Sequence, residues 1–263
     1  MTRYSEFGQL DIHQAINHDL LEFVRPRPQD DVLDVGCGSG ELLRLLPEGD
    51  GARIGVDPDR DVLEQAAVAL GDSARLINAP VEKLLDFVAP ESVDVVLAAN
   101  CIHLFDDIPA AVDLLSAVLR PGGAIGISTA YYTDAVDPSQ RPLYTRILRA
   151  AQRASRDLGA VPRRSARDRA DRRQLDKTYY ETTLSSGSLQ VETVREVERD
   201  LDREFLTAIA TTPVFATGAL PGVDVDLAVE AARTACRDVL GSFDSSTTFA
   251  RRWLYIVARK GNR

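Results

Sequence analysis

The sequence predicts an open, doubly wound α/β fold with helices on both faces of a mostly parallel sheet. Three observations predict it. Short apolar runs alternate with segments of helical period from about residue 30 to residue 131. The runs are apolar throughout rather than alternating, as strands are when helices cover both faces. The first run, DVLDV at 31–35, leads at once into glycines on alternate positions, Gly36, Gly38 and Gly40, and then into a helix.

The elements follow in order. Residues 10–24 place Ile12, Ile16, Leu20 and Phe23 on one helical stripe, and Pro26 and Pro28 end that helix. DVLDV is a buried strand, and ELLRLL (41–46) opens a helix behind the glycines. ARIGVD (52–57) is a second strand, followed by a helix over 59–70 that turns Val62, Ala66 and Leu70 inward. ARLINA (74–79) and VDVVLAAN (93–100) are the third and fourth strands. A helix over 108–119 stops at RPGG, and AIGIST (124–129) is the fifth strand. Residues 133–183 contain no good strand: 142–160 reads as helix, and 163–173 holds six arginines (163, 164, 167, 169, 172, 173) against two aspartates. The sheet resumes at 189–201 and closes with RRWLYIVARK (251–260), with helical segments near 203–211 and 225–240 between them.

This divides the chain into an N-terminal helical cap (1–29), a cofactor-binding α/β core (30–132), a helical lid insertion after the fifth strand (133–185) and a C-terminal part of the sheet with substrate-side helices (186–263). The net charge of −9 argues against a protein that wraps nucleic acid, which needs a basic surface. Three cysteines with no CxxC pair and three histidines without metal-ligand spacing indicate neither a disulfide framework nor a metal site. No apolar run is long enough to span a bilayer, and MTRYSEFGQLDIHQ lacks the apolar centre of a signal peptide, so the expectation is a cytoplasmic protein, monomeric or homodimeric.

The glycine loop carries the chemistry. In an open parallel sheet, ligands bind at the C-terminal ends of the strands, and glycine lets a ligand approach the backbone without a Cβ in the way. The spacing is GxGxG; the third glycine of a dinucleotide GxGxxG would fall at Glu41. Asp34, two residues before the loop, is a poor neighbour for a pyrophosphate and a good one for a cofactor with a cationic amino-acid end. The P-loop alternative fails because no GK[ST] is present. Asp57 ends the second strand, where a carboxylate accepts from both hydroxyls of a ribose. That feature identifies a nucleoside rather than one cofactor.

With these residues in place, the sequence resembles the class I S-adenosylmethionine-dependent methyltransferases of the small-molecule type. The match runs through VLDVGCGSG, IGVDPD, INAPVEKL, VDVVLAANCIHLF and LRPGGAIGIS, in that order, over roughly residues 30–131. The resemblance implies a Rossmann-like, seven-stranded open sheet whose last strand, RRWLYIVARK, is antiparallel. It implies S-adenosylmethionine as cofactor. Asp34 and the loop Gly36, Cys37, Gly38 and Gly40 would hold the methionine end, with Asp57 and Pro58 at the ribose. Asn78 stands where the family usually has an acid beside the adenine amino group, and its amide oxygen can accept from that amine. The Ala79 backbone N–H would read the ring, and Asn100 would lie under the sulfonium.

A sulfonium methyl is already activated, so transfer needs mainly alignment and desolvation, plus a base where the acceptor is weakly acidic. The base candidates are His13, the first choice, His103 and the tyrosines. Tyr4, Tyr131, Tyr132 and Tyr144 are the candidate substrate-facing aromatics. Strand four ends in AANC, without the [DN]PP[YFW] motif or a Pro-Cys pair, which argues against adenine-N6, protein-glutamine and cytosine-C5 methylation. The leading reading is methylation of a small organic acceptor at O, N or C, of the natural-product tailoring type. An RNA or tRNA methyltransferase using the arginine-rich segment, and a non-methylating cyclase-like protein on the same scaffold, stay open beside it.

Overall fold

Four consecutive residues with no polar outward face make the first strand: Val32–Val35 (β1) is buried at every position, Asp34 included. Around it, in a computed structural model that describes residues 11–163 and 175–262, the chain builds one seven-stranded sheet. Before β1 comes helix α1 (Asp11–Val24). After it come α2 (Glu41–Arg44), β2 (Arg53–Asp57), α3 (Arg60–Leu70), β3 (Arg75–Asn78), β4 (Val93–Ala99), α4 (Ile108–Val118) and β5 (Leu119–Thr129). Next are α5 (Arg141–Asp157), α6 (Lys177–Leu184), β6 (Leu189–Leu201), α7 (Arg203–Ala210), α8 (Pro213–Ala219), α9 (Val225–Leu240) and β7 (Phe249–Lys260).

The strand order is β3-β2-β1-β4-β5-β7-β6. β1 pairs in parallel with β2 and β4, β2 with β3, and β4 with β5, while β7 runs antiparallel to β5. The order reverses between β1 and β4, so the crevice beyond their C-terminal ends is the switch point where such sheets bind ligands. The helices begin where the sequence supplies caps. Asp59 accepts from Asp61 N at 2.9 Å to start α3, and Asp107 accepts from Ala110 N at 3.0 Å to start α4. RPGG ends α4 as expected. The strand, however, already starts at Leu119, and its register with β4 shifts between Val93 and Val95 to absorb the Pro-Gly-Gly bend.

The chain packs as two units. The larger comprises His13–Ala135, Leu175–Val197 and Arg252–Arg263. Its core joins Leu33, Val96, Ile125 and Ile256 of the sheet to Val112 and Leu115 of α4 and to Tyr180 and Leu184 of α6. α6, expected as the end of the insertion, therefore belongs with the sheet. α1 buries Ile16, Asn17, Leu20 and Val24, a face rotated slightly from the expected stripe, so that Ile12 and Phe23 are only half-buried. Val24 packs directly on Gly126 of β5, and the Tyr255 hydroxyl donates to the Ile16 carbonyl at 3.3 Å. Since Val24 lies on Gly126 while Ile16 meets Tyr255, which pairs with Ser128 two residues further along β5, α1 runs against β5 and its first turn lies toward the C-terminal ends of the parallel strands.

The other unit comprises Met1–Ile12, Val136–Gln174 and Glu198–Arg251. In it α9 presents Ala228, Ala231, Ala232 and Ala235, all buried, and α5 presents Ala150 and Ala151; these small side chains let the two helices approach closely. The Phe243 and Phe249 rings meet edge to face at 5.4 Å, and the Arg146 guanidinium lies 5.7 Å from the Phe243 ring centroid.

Candidate active site

The loop after β1 turns on three left-handed glycines, with φ +69° at Gly36, +52° at Gly38 and +81° at Gly40. Each answers a different demand. A Cβ on Gly36 would stand 2.6 Å from the Cys101 Cβ, and one on Gly40 would stand 2.6 Å from Leu70 Cδ1 of α3. A Cβ on Gly38 would meet no described residue within 4 Å. Gly36 and Gly40 are thus glycines because the protein approaches them, whereas Gly38 faces an opening. The Gly36 and Cys37 N–H groups both donate to the Val56 carbonyl, at 2.7 and 3.2 Å, which closes the turn against β2.

Two acids frame that opening. Asp34 is 1% exposed, and neither carboxylate oxygen has a hydrogen-bond partner among the described residues. Burial, and then the nearby Asp57 charge, push its carboxyl well above the usual range. A buried, unpartnered carboxylate is costly unless a cation or donor arrives to meet it. Asp57 is differently placed: Oδ2 accepts from Gly38 N at 2.9 Å and Oδ1 from Asp59 N at 2.8 Å. Burial raises its pKa and these two N–H bonds oppose the rise. Each oxygen keeps a second lone pair for a further donor.

Asn78 closes the β3 end. Its Nδ2 donates to the carbonyls of Asp57 at 3.1 Å and Pro58 at 3.0 Å. Two carbonyls accept only, so they fix the amide's orientation and turn Oδ1 the other way, as an acceptor. The Ala79 N–H is not a ring reader. It donates to the Asp57 carbonyl at 3.2 Å as the next rung of the β2–β3 ladder. Cys37 contributes its backbone alone. Its Sγ points to Gly55, whose Cβ would meet it at 2.8 Å, and burial pushes the thiol's pKa up. Cys101 is likewise buried, with its Sγ at 3.0 Å from the Val35 carbonyl, and its thiol is also pushed up by burial.

Beyond β4, Asn100 adopts φ +52°, a conformation few non-glycine residues other than Asn and Asp take. Its N–H donates to the Ser128 carbonyl at 2.8 Å and its Oδ1 accepts from the Trp253 indole at 3.1 Å, which leaves the Nδ2 donors as the other end of the amide. His103 follows on a short helical turn, Ile102–Leu104. Its ring stacks on Tyr131 with centroids 5.0 Å apart, and its Nδ1 is 3.2 Å from the Thr129 hydroxyl. His103 and Tyr131 are therefore brought together at the ends of β4 and β5.

Tyr132 departs from its expected role. Its ring is 1% exposed and its hydroxyl donates to Glu196 at 2.8 Å, and Lys177 bonds the other Glu196 oxygen at 3.0 Å. It ties β5 to β6 and α6 rather than facing a substrate. Tyr144 lies on α5 in the helical unit, with the Arg251 guanidinium 5.5 Å from its ring centroid. His13 is half-buried on the first turn of α1, and His18 is exposed. Tyr4 and five of the six clustered arginines, Arg164, Arg167, Arg169, Arg172 and Arg173, lie outside the described residues; the Arg163 N–H donates to the Pro221 carbonyl at 2.8 Å. Asp107 caps α4, and among the described residues no three His, Cys, Asp or Glu side chains converge as a metal-binding set. No helix among them is long and apolar enough to cross a membrane.

Residues 33–127, which hold every strand-end group above up to His103, match the family model described as a methyltransferase domain. The chain carries a class I S-adenosylmethionine-dependent methyltransferase domain. A curated relative of the domain is nocamycin O-methyltransferase from Saccharothrix syringae, 32% identical over 128 residues, which are 45% of this chain and 44% of that one. The chain thus spans less than half the length of that relative. Among solved structures, the YcgJ protein from Bacillus subtilis superposes with a TM-score of 0.61 at 18% identity, over 95% of this chain and 99% of that one. The [4+2]-cyclase SpnF superposes with a TM-score of 0.60 at 14% identity, over 97% and 85%. At these identities the structures share the fold.

The methyltransferase domain fits its cofactor where the geometry can be tested. Asp34 offers an unmet carboxylate for a cationic ammonium, and Gly38 offers a surface that a Cβ would fill. Asp57 and Asn78 offer the acceptors that ribose hydroxyls and an amino group need. Three groups escaped the sequence reading: Thr129, Tyr180 and Trp253. Each reads as an ordinary strand or helix residue, and only the sheet order brings Trp253 of β7 to Asn100 after β4. A weak signal existed for Thr129, a polar residue ending an apolar strand at the ligand-binding edge.

Proposed function

We propose that the protein is an S-adenosylmethionine-dependent methyltransferase acting on a small organic acceptor of the natural-product tailoring type. The observation that carries this reading is Asp34, fully buried with both oxygens unpartnered among the described residues, beside a glycine whose missing Cβ leaves an opening there. That arrangement suits an amino-acid ammonium and repels a pyrophosphate. The named activity of the Saccharothrix relative supports an oxygen acceptor.

When bound, the cofactor supplies a methyl group already activated for displacement. This chain's residues bind and orient around it. Asp34 neutralises the ammonium, Asp57 and Asn78 accept from the nucleoside, and Asn100 presents donors from the end of β4. His103 and Tyr131 stand at the same edge of the sheet, where an acceptor would enter. Incubation with a panel of phenols, enols and amines tests the reading: a product heavier by one methylene, formed only with S-adenosylmethionine, supports it. Tight binding of NAD with no binding of S-adenosylhomocysteine would overturn it.

A further inference from the structure

Helix α5 holds five arginines and a single acid, Asp157, in a chain whose net charge is −9. Four of the arginines, Arg146, Arg149, Arg153 and Arg156, are spaced three, four and three residues apart, and all four are exposed. Leu143, Ala150, Ala151 and Ser155 are the side chains that α5 buries. Steps of three and four keep side chains on one helix face, so the guanidinium groups form an outward stripe about 15 Å long. None of the four has an ion-pair partner among the described residues. Like charges at these spacings repel one another and weaken a helix. The Phe243 ring steadies Arg146, and the helix dipole favours Arg156 in the last turn. Arg149 and Arg153 have no such support, so the fold gives no reason for a cation at either.

We propose that this stripe docks an acidic helix of a partner protein, one that presents carboxylates at the same three-four-three spacing. The inference goes beyond methyl transfer and does not depend on it. Alternating steps of three and four form the seam along which two helices lie nearly aligned. The spacing reads the same from either end, so a parallel or an antiparallel helix sets a carboxylate opposite each guanidinium. Arginine grips a carboxylate bidentately, and four such pairs in register add what one exposed pair lacks. The rest of the molecule disfavours larger polyanions. A bilayer or a nucleic-acid strand extends past the stripe and meets the acidic remainder of the chain within a Debye length of about 8 Å, whereas three turns of helix meet the stripe alone. Residues 146–156 also include no aromatic side chain on which a base could stack, and no exposed large apolar one to enter a bilayer.

Two stapled, alanine-based helical peptides of identical composition test the match. One carries glutamate at i, i+3, i+7 and i+10, and the other spreads the same four glutamates around the helix. Fluorescence anisotropy with the full chain at physiological salt reads the binding of each. The expected result is roughly tenfold tighter binding of the striped peptide, since each exposed pair adds only a little. That preference is expected to vanish in the double variant Arg149→Glu, Arg153→Glu, and a striped peptide with lysine in place of glutamate is expected to bind this variant instead. Thermal melts check that the variant folds, and Arg149→Gln with Arg153→Gln carries the test if it does not. Equal affinity for the two peptides, no binding of the striped one, or undiminished binding by a folded double variant overturns the proposal. So does tighter binding of phosphatidylglycerol vesicles or of a single-stranded oligoribonucleotide that is lost in the same variant.

Discussion

The Trp253 indole nitrogen of β7 donates to the Asn100 side-chain oxygen at 3.1 Å, across 153 residues of sequence. The bond orients an amide whose residue already sits at φ +52°, a backbone conformation that costs energy for most side chains. The antiparallel seventh strand thus acts on the ligand-binding edge through one hydrogen bond.

Asn100→Gly separates the two contributions. Glycine accepts the positive φ without strain, so any destabilisation is expected to come from the lost acceptor of the buried Trp253 N–H, about 1–3 kcal/mol. The variant loses the amide, and its affinity for S-adenosylhomocysteine is expected to fall roughly tenfold, the loss of one hydrogen bond to a polar ligand. Denaturant melts and calorimetry together check this; unchanged affinity would remove Asn100 from the site.

The three loop glycines are expected to respond differently to alanine. Gly36→Ala and Gly40→Ala drive a Cβ into Cys101 and Leu70, and thermal melts should show both variants strongly destabilised. Gly38→Ala meets open space and carries only the left-handed penalty of about 1–2 kcal/mol. It is expected to fold and to bind S-adenosylhomocysteine poorly. Equal behaviour of all three in both assays would mean that Gly38 does not face the ligand.

If Asp34 meets the cofactor's ammonium, as proposed, cofactor binding is expected to be proton-linked. Burial, then the Asp57 charge, raise its folded pKa, so the apo protein is favoured below the unfolded carboxylate value and loses that advantage as pH rises toward the folded value. Asp34→Asn removes the penalty, and the apo variant is expected to melt about 3 °C higher at neutral pH, with the gap closing in acid. A cationic ammonium stabilises the ionised form, so in the range where the apo carboxyl is protonated, binding is expected to release a proton. Calorimetry in buffers of different ionisation enthalpy reads this directly. A binding heat independent of buffer at every pH between 4 and 9, roughly the span from the unfolded carboxylate value to the amino group, would count against it.

Tyr132 is expected to matter for stability and not for binding. Tyr132→Phe leaves Glu196 with Lys177 alone and should cost roughly 1–1.5 kcal/mol in denaturant melts, with an unchanged dissociation constant for S-adenosylhomocysteine. A selective loss of binding would return Tyr132 to the ligand.

The sheet and its glycine loop were legible because their signals are local. Apolar runs, GxGxG spacing and terminal acids each declare a strand end within a few residues, and the observed strands fall within a residue or two of those expected, apart from the start of β5. The count of seven strands and the antiparallel last strand followed from the family resemblance, and the strand order came from the structure. The Ala79 N–H was misread because a backbone donor carries no label for its partner, and here the ladder takes it. Tyr132 was misread because a tyrosine after a strand looks alike whether it faces a cavity or a core. Tyr180 and Trp253 were invisible because their contacts lie 49 and 153 residues away, and Thr129 left only the weak signal of a polar residue ending an apolar strand.

The most direct test of the whole account is a titration of the full chain with S-adenosylhomocysteine and, separately, with NAD, repeated on Asp57→Ala. The account predicts one-to-one binding of S-adenosylhomocysteine, no binding of NAD, and a loss of roughly 1.5–3 kcal/mol in the folded variant, the range for hydrogen bonds to a charged group. NAD binding without S-adenosylhomocysteine binding, or a folded Asp57→Ala with unchanged affinity, would contradict it.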